Sequence, residues 1–308
     1  MSDDSPQADP HAVEAWKLHG ALLAVQLLFS GFHVAGKWVM GEIHPFALAC
    51  MRVGFVTPVL LALAWQHDRI IPRGRDLLYL ALLGGLGVFG NQVLFLWGLS
   101  YTTATNAAVF LPSVPVFAAA IGAVLGIDRI GPRRFAGIAL AVAGALVVLD
   151  TTHFDLADDA TLGNLLVLAN CCLFAAFLVL QRPLLRRLPW RTVIAGSFAF
   201  GSIGVFAVGG RELAAIEFSE IPNGTWVAVA YALMATLIAY MINSWAVQRS
   251  SPTLVAAYTT VQPVTSALLA SWFLAETIGW KQAVGFVLIA GGLWVVSKRQ
   301  AAARKTGA

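Results

Sequence analysis

Long apolar runs recur along the chain and are separated by short polar segments. A helix of about 20 apolar residues crosses the hydrocarbon layer of a membrane. Ten runs approach or exceed that length, at residues 18–39, 45–66, 76–98, 103–126, 133–149, 161–181, 192–210, 224–247, 252–275 and 281–297. The pattern predicts an all-α integral membrane protein with ten transmembrane helices.

The composition agrees with insertion in a membrane. Hydrophobic residues make up 58% of the chain and charged residues 12%, which leaves too few polar side chains to cover a water-soluble domain. Residues 1–17, MSDDSPQADPHAVEAWK, are acidic with a single lysine. They lack the basic segment of a secretory signal, so we expect the first helix to be retained.

The end of the first half of the chain resembles the end of the second. With a shift of 148 residues, 103–149 aligns with 251–297 without a gap. The identical pairs include less common residues such as Pro115/Pro263, Gly131/Gly279 and Gly137/Gly285. The sequence therefore predicts two five-helix repeats, at 18–149 and 161–297, flanked by a polar tail at 1–17 and a basic tail at 298–308.

The basic residues of the loops indicate how the two repeats are oriented. Because five is odd, the second repeat enters the membrane from the opposite side. With the N-terminus inside, sixteen Lys and Arg residues fall in inner segments, and only Arg211 and Lys281 fall in outer loops. Lysine and arginine are enriched in cytoplasmic loops. The two repeats are therefore predicted to be inverted, with both termini cytoplasmic.

Polar residues within the predicted helices are candidates for a substrate path, because exposing them to lipid is costly. In the first helix, four polar residues follow one another at spacings of three and four and so share one face. The full predicted substrate-binding set is Gln26, Ser30, His33, Lys37, Arg52, Asn91, Asn106, Tyr240, Asn243 and Gln262. The alternative is that these side chains join helices by hydrogen bonds, each worth about 0.6 kcal/mol.

Three of these residues can carry a positive charge and suggest particular roles. Lys37 and Arg52 can hold an anionic group such as a carboxylate. Their alternatives are snorkelling to the outer headgroups or pairing with Glu42. Histidine side chains ordinarily titrate near neutral pH, which makes His33 a candidate proton carrier; the alternative is a hydrogen-bonded core residue. None of the sixteen acidic residues lies in the middle of a predicted helix, which argues against coupling through carboxylates.

Other sequence features give structural predictions. Pro112, Pro115 and Pro263 remove backbone hydrogen bonds and are predicted to form kinks, which either act as hinges or only serve packing. The segments GFHVAGKW (31–38) and GLGVFG (85–90) match nucleotide-binding motifs only in part, since the first lacks a Ser or Thr after its lysine and neither has a βαβ context. No cofactor and no metal site is predicted.

Several segments resemble the EamA type of the drug/metabolite transporter superfamily. They are LLFSGFHVAGKWV in the first helix, GLSYTTATNAAVFLPSVPVFAAAIGAVLGIDRIGPRRFAGIALAVAGALVVL at the end of the first repeat and AVQRSSPTLVAAYTTVQPVTSALLASWFLAETIGWKQAVGFVLIAGGLWVV at the end of the second. The resemblance implies ten helices, cytoplasmic termini, a central cavity and export of amino acids or similar small metabolites.

These observations predict a secondary transporter of the cell inner membrane that works by alternating access. Export is either facilitated or exchanged against protons through His33. The alternatives are a sugar-phosphate or nucleotide-sugar exchanger, and an exporter of drugs or toxic metabolites. An enzyme is disfavoured because no nucleophile, base or metal cluster lies at membrane depth. The expected partners are a small-molecule substrate and the lipid bilayer, with no nucleic acid, and the sequence leaves the oligomeric state open.

Overall fold

The computed structural model describes residues 10–125, 136–137, 139–140, 143–144, 147 and 158–305. Within these ranges the chain is helical between short turns and contains no strand. The fifth predicted helix, at 133–149, lies largely outside the described residues.

The helices of the described ranges follow the predicted apolar runs. They are α1 (Pro10–Val39), α2 (Pro45–His67), α3 (Arg75–Gly84), α4 (Asn91–Tyr101), α5 (Ala104–Phe110), α6 (Ser113–Val124), α7 (Asp159–Leu185), α8 (Trp190–Ala214), α9 (Asn223–Arg249), α10 (Pro252–Ala257), α11 (Gln262–Phe273) and α12 (Trp280–Lys305). A π-helical turn, Gly85–Gly90, joins α3 to α4, and a 3₁₀ turn, Tyr258–Val261, joins α10 to α11.

Seven helical segments in the described part of the chain are long and apolar enough to cross a membrane. They are Trp16–Val39, Pro45–His67, Arg75–Tyr101, Ala104–Val124, Asp159–Leu185, Trp190–Ala214 and Asn223–Arg249. This all-helical arrangement fits the predicted integral membrane protein.

The helices at both ends of the chain are longer than predicted. α1 begins at Pro10 rather than at residue 18, and α12 continues to Lys305 rather than ending at residue 297. The apolar run marks only the part that can lie in hydrocarbon. Residues 298–305 are rich in Ala, Lys and Arg, and residues 10–17 contain two Ala, a Glu and a Lys; these residue types favour a helix in water as well. Proline is well tolerated at the first helical position.

The fourth and ninth predicted helices are each interrupted. Leu111 and Pro112 separate α5 from α6, and the 3₁₀ turn separates α10 from α11. Pro115 and Pro263 lie in the first turns of α6 and α11, where a missing N–H costs little. The two interruptions touch, since the Thr259 hydroxyl donates to the Leu111 carbonyl at 3.0 Å.

Helices α2 and α8 pack against each other in antiparallel orientation. Near the start of α2, the Cys50 thiol donates to the carbonyl of Val205, late in α8, at 3.4 Å. At the other end, the Thr192 hydroxyl, at the start of α8, donates to Asp68, which follows α2, at 2.9 Å. Contacts also connect α1 with α9 and α11, and α4 and α6 with α7.

Glycines allow the closest helix contacts. A Cβ atom on Gly84 would lie 2.5 Å from the Ser197 carbonyl oxygen, and one on Gly98 would lie 2.8 Å from the Gly163 carbonyl oxygen. Both distances are far below van der Waals contact, so only glycine fits without a shift. These two glycines therefore let their helices approach closely.

The two segments that partly match nucleotide-binding motifs do not form nucleotide-binding loops. GFHVAGKW lies inside α1, and GLGVFG forms the π turn. Neither forms a loop between a strand and a helix, which is the arrangement that a phosphate-binding motif requires.

Candidate functional site

The polar face of α1 packs against α11. Gln26, Ser30 and His33 are at most 2% exposed. Three hydrogen-bonded pairs join the two helices, namely Gln26–Gln262, Ser30–Thr265 at 2.5 Å and His33–Ser266 at 2.9 Å. The cost of burying this face is therefore offset by polar partners from the second half of the chain.

A cavity lies beside this contact and contains about 630 Å³ of empty space. Both halves of the chain contribute to its wall, which is formed by Gln26, Phe29, Phe32, His33, Arg52, Asn91, Gln92, Phe95, Leu111, Val114, Asn170, Phe174, Tyr240, Asn243, Val255, Thr259 and Gln262. This volume includes the open space at the mouth of the cavity. The touching interruptions of the helices, at Leu111 and Thr259, form part of this wall.

Most of the predicted site residues lie on the cavity wall. Seven of the ten do so: Gln26, His33, Arg52, Asn91, Tyr240, Asn243 and Gln262. The wall also contains Thr259, and it contains Gln92 and Asn170, which were not predicted. For Gln92 and Asn170, an amide inside a long apolar run is the signal in the sequence, and it is the same signal that indicated Asn91.

Arg52 brings a positive charge to the cavity. Its side chain is 3% exposed, its Nε donates to the Thr236 hydroxyl at 2.8 Å, and its guanidinium lies 4.1 Å from the centre of the Phe32 ring. Its Nη1 is buried and has no hydrogen-bond partner within the described ranges. None of the described residues on the cavity wall is acidic. A buried cation without a carboxylate partner is costly, and an anionic ligand would offset that cost.

Further polar atoms on the wall are also without partners. Both side-chain polar atoms of Gln92 and the Oδ1 of Asn243 are buried and make no hydrogen bond among the residues described. Buried polar groups are nearly always satisfied in folded proteins. Together with Nη1 of Arg52, these atoms offer both donors and acceptors to a polar ligand.

The π turn directly precedes Asn91, which lies on the cavity wall. The Tyr240 hydroxyl lies 2.8 Å from the Gly87 carbonyl oxygen and 2.7 Å from Oδ1 of Asn91. The Asn170 amide donates to the Asn91 carbonyl at 2.7 Å. These bonds connect α4 with α7 and α9, so a break in regular helix is stabilised by side chains from the second half of the chain.

The remainder of the wall is apolar and largely aromatic. Phe29, Phe32, Phe95 and Phe174 line the cavity together with three aliphatic residues. The site thus pairs one cationic group and several amides with a hydrophobic surface, the usual composition of a small-molecule pocket.

Lys37 lies outside the cavity wall. Its ammonium group donates to the carbonyls of Leu99, Ser100 and Thr102 at 2.9, 3.1 and 2.7 Å. These carbonyls end α4, where the helix leaves acceptors unsatisfied and its dipole favours a cation. All three ammonium hydrogens are thereby used, an arrangement different from both snorkelling and pairing with Glu42.

Asn106 and Ser30 also lie outside the wall. Oδ1 of Asn106 accepts a hydrogen bond from Gln282 at 2.8 Å. Beside it, the Glu276 carboxylate accepts hydrogen bonds from the backbone of Ala104 and Thr105, each at 2.9 Å. Glu276 therefore caps α5 while Lys37 caps α4. Neither cap was predicted, because each depends on contacts between helices distant in sequence.

A bundle of membrane-crossing helices around a polar cavity defines the class of the molecule as a multi-pass membrane transporter. The chain belongs to the EamA-like transporter family, whose model matches residues 17–150 and 161–298. This assignment, which the sequence predicted, makes the protein a transporter and not an enzyme.

One of its relatives is named as a transporter. The chain is 27% identical over 288 residues to the "Uncharacterized transporter" of Archaeoglobus fulgidus, covering 92% of this chain and 98% of the relative. It is 28% identical over 340 residues to "Protein WALLS ARE THIN 1" of Arabidopsis thaliana, covering 96% and 86%. A solved crystal structure matches with a TM-score of 0.64 at 20% identity, over 93% of this chain and 98% of the other, and this likeness concerns the fold.

Proposed function

We propose that the protein is a secondary transporter that exports amino acids or related small metabolites across the cell inner membrane by alternating access. In this proposal ten membrane-spanning helices form two inverted halves, at 18–149 and 161–297, with both termini cytoplasmic. The substrate binds in the cavity between the halves. The observation that carries the proposal is a buried cavity with one arginine and no acidic residue among the described residues of its wall.

The antiparallel packing of α2 and α8 supports inversion. They are the second helices of their halves, so the internal repeat makes them equivalent. A two-fold axis in the membrane plane turns equivalent helices antiparallel, whereas an axis along the membrane normal leaves them parallel. The bonds from Cys50 to Val205 and from Thr192 to Asp68 follow the antiparallel order.

The other contacts between the halves also occur in equivalent pairs, as a two-fold axis requires. α1 packs on α9, and the equivalent pair, α7 with α4, is also in contact. α1 packs on α11, and the equivalent pair, α7 with α6, is in contact too. Leu111 and Thr259, which the 148-residue shift makes equivalent, touch at the helix interruptions. Such an interface is suited to a rocking motion of one half against the other, with Pro112, Pro115 and Pro263 at the bends.

The charge of the cavity favours a substrate with one negative group. Arg52 can bind a carboxylate through two parallel hydrogen bonds. The donors of Lys37 are already used at the end of α4, so Arg52 is the one cation on the described wall. A sugar phosphate or nucleotide sugar carries more negative charge, which this wall balances less well. The aromatic surface accommodates the apolar part of the substrate.

Efflux from liposomes tests the proposal. Purified protein is reconstituted with radiolabelled amino acids, other monocarboxylates, sugar phosphates or cationic drugs inside, and efflux is measured with and without a pH gradient. We expect saturable efflux of a monocarboxylate class. Saturable efflux of sugar phosphates or drugs alone would overturn the substrate assignment, and no efflux of any class would contradict the proposed transport.

The same assay separates facilitated export from proton exchange. If His33 carries a proton, a pH gradient accelerates efflux by the wild type but has no effect on His33→Gln. Ser266→Ala is the matched control, because it removes the hydrogen-bond partner of His33 while leaving the imidazole in place. A gradient effect that persists in His33→Gln would exclude His33 as the carrier.

A further inference from the structure

A second cleft lies at the end of the bundle where α7 and α9 end and α8 begins. It contains about 660 Å³ of empty space, including the open space at its mouth, and is lined by Arg186, Arg187, Arg191 and Arg249. The transport proposal assigns no substrate contact to these residues. Four arginines around one cleft form a strongly cationic surface.

The arginines are only partly neutralised. Arg187 pairs with Asp76 at 2.9 Å, and Arg191 pairs with Asp68 at 3.0 Å. Arg186 and Arg249 have no acidic partner among the described residues. Two positive charges are therefore left over, and an anion entering the cleft would meet both of them.

The start of α8 adds backbone donors to the cleft. α8 begins at Trp190 after Pro189, and no side chain caps its first turn. The first N–H groups of a helix lack partners within the helix and, with its dipole, attract anions. At the end of α7, by contrast, Gln248 donates to the carbonyls of Leu185 and Leu188 at 3.0 and 3.3 Å, so acceptors that would repel an anion are already satisfied.

The position of the cleft indicates where its anion comes from. The cleft lies at the ends of three long helices, since α7 and α9 end here and α8 begins here. Trp190 forms part of its lining. The guanidinium of Arg249 lies 4.8 Å from the centre of the Trp245 ring. Tryptophan and arginine at helix ends are typical of the headgroup level of a membrane, where phosphates of lipids are concentrated.

We propose that this cleft binds the phosphate group of an anionic phospholipid. Arg186, Arg249 and the first N–H groups of α8 hold the phosphate, and Trp190 and Leu188 contact the less polar part of the lipid next to it. Basic pockets between the ends of membrane helices hold anionic headgroups in this way.

Binding of short-chain lipids to the full-length protein in detergent tests the proposal. The probes are dihexanoyl phosphatidylglycerol, its zwitterionic phosphatidylcholine counterpart and inorganic phosphate, and binding is measured by native mass spectrometry and by the shift in apparent Tm. The variant is Arg186→Gln with Arg249→Gln. The control is Arg73→Gln with Arg75→Gln, which removes the same charge from exposed residues of another loop.

We expect phosphatidylglycerol to bind more tightly than phosphatidylcholine, and the cleft variant to weaken its binding about thirtyfold while the control changes it less than threefold. Equal weakening by both double variants would reduce the effect to overall charge and overturn the site. Tight binding of inorganic phosphate without binding of phosphatidylglycerol would overturn the lipid as the ligand. Far-ultraviolet circular dichroism and gel filtration confirm that each variant is folded.

Discussion

Two basic side chains within the first two helices differ in how their donors are used. Lys37 gives all three ammonium hydrogens to carbonyls at the end of α4. Arg52 donates through Nε to Thr236 and keeps Nη1 buried without a partner in the described part of the chain. The first arrangement is that of a helix cap, whereas the second leaves a buried donor open, which we propose is used by the substrate.

The difference extends to the surroundings of each residue. Near Lys37, Glu276 caps α5 and Asn106 is bonded to Gln282, so polar groups satisfy one another. Around Arg52, Gln92 and Asn243 have unpartnered atoms. A charged residue inside a membrane is thus a candidate for substrate binding when its donors are open, not merely because it is charged.

The largest expected effect is that of Arg52→Gln. Removing a charged hydrogen-bond partner costs about 2–5 kcal/mol in binding, so we expect kcat/KM for a monocarboxylate to fall about 100-fold. The substrate-free protein should not lose stability, because a costly buried charge is removed. The measurements are efflux from liposomes and thermal unfolding in detergent. Unchanged efflux would remove Arg52 from the site.

Lys37→Met should have the opposite effects, namely a loss of stability with little change in KM. It leaves three carbonyls at the end of α4 without their donor, so we expect a loss of about 2 kcal/mol in stability and a lower apparent Tm. The KM should change less than threefold. Lys17→Met, on the exposed first part of α1, is the control. A large rise in KM without loss of stability would place Lys37 in the substrate site after all.

The smallest effects come from a matched pair of amides. Asn243→Ala removes a cavity amide whose Oδ1 has no partner among the described residues, and we expect KM to rise about fivefold with little change in stability. Asn106→Ala breaks the bond to Gln282 and should lower stability slightly while KM changes less than twofold. Equal effects of both variants on KM would erase the distinction between the two regions.

The spacing of polar residues along a helix, and the cost of exposing them to lipid, explain what the sequence could predict. The spacing of Gln26, Ser30 and His33 put them on one face, and the cost of exposing them to lipid indicated an interior location, as observed. Asn91, Asn243 and Tyr240, which are polar residues inside apolar runs, indicated the cavity wall for the same reason. Asn106 gave the same signal but lies outside the wall. These signals are local, so a single sequence contains them.

What the sequence could not predict depends on contacts distant along the chain. The partner of Lys37 is the end of another helix, and the cap of α5 is Glu276, at the far end of the chain. The π turn at Gly85–Gly90 is stabilised in part by Tyr240, and glycines alone did not distinguish it from a regular helix. The outer limits of α1 and α12 differed because hydropathy reports the lipid layer and not helix propensity.

The most direct test of alternating access is labelling of the cavity from both sides of the membrane. Asn243→Cys is introduced into a background in which Cys50, Cys171 and Cys172 are replaced by alanine. Sealed vesicles of known orientation are then treated with a membrane-impermeant thiol reagent, either outside or enclosed inside, and retention of a small dye excludes a continuous pore. We predict labelling of residue 243 from each side. Labelling from one side only, or from neither, would contradict the account.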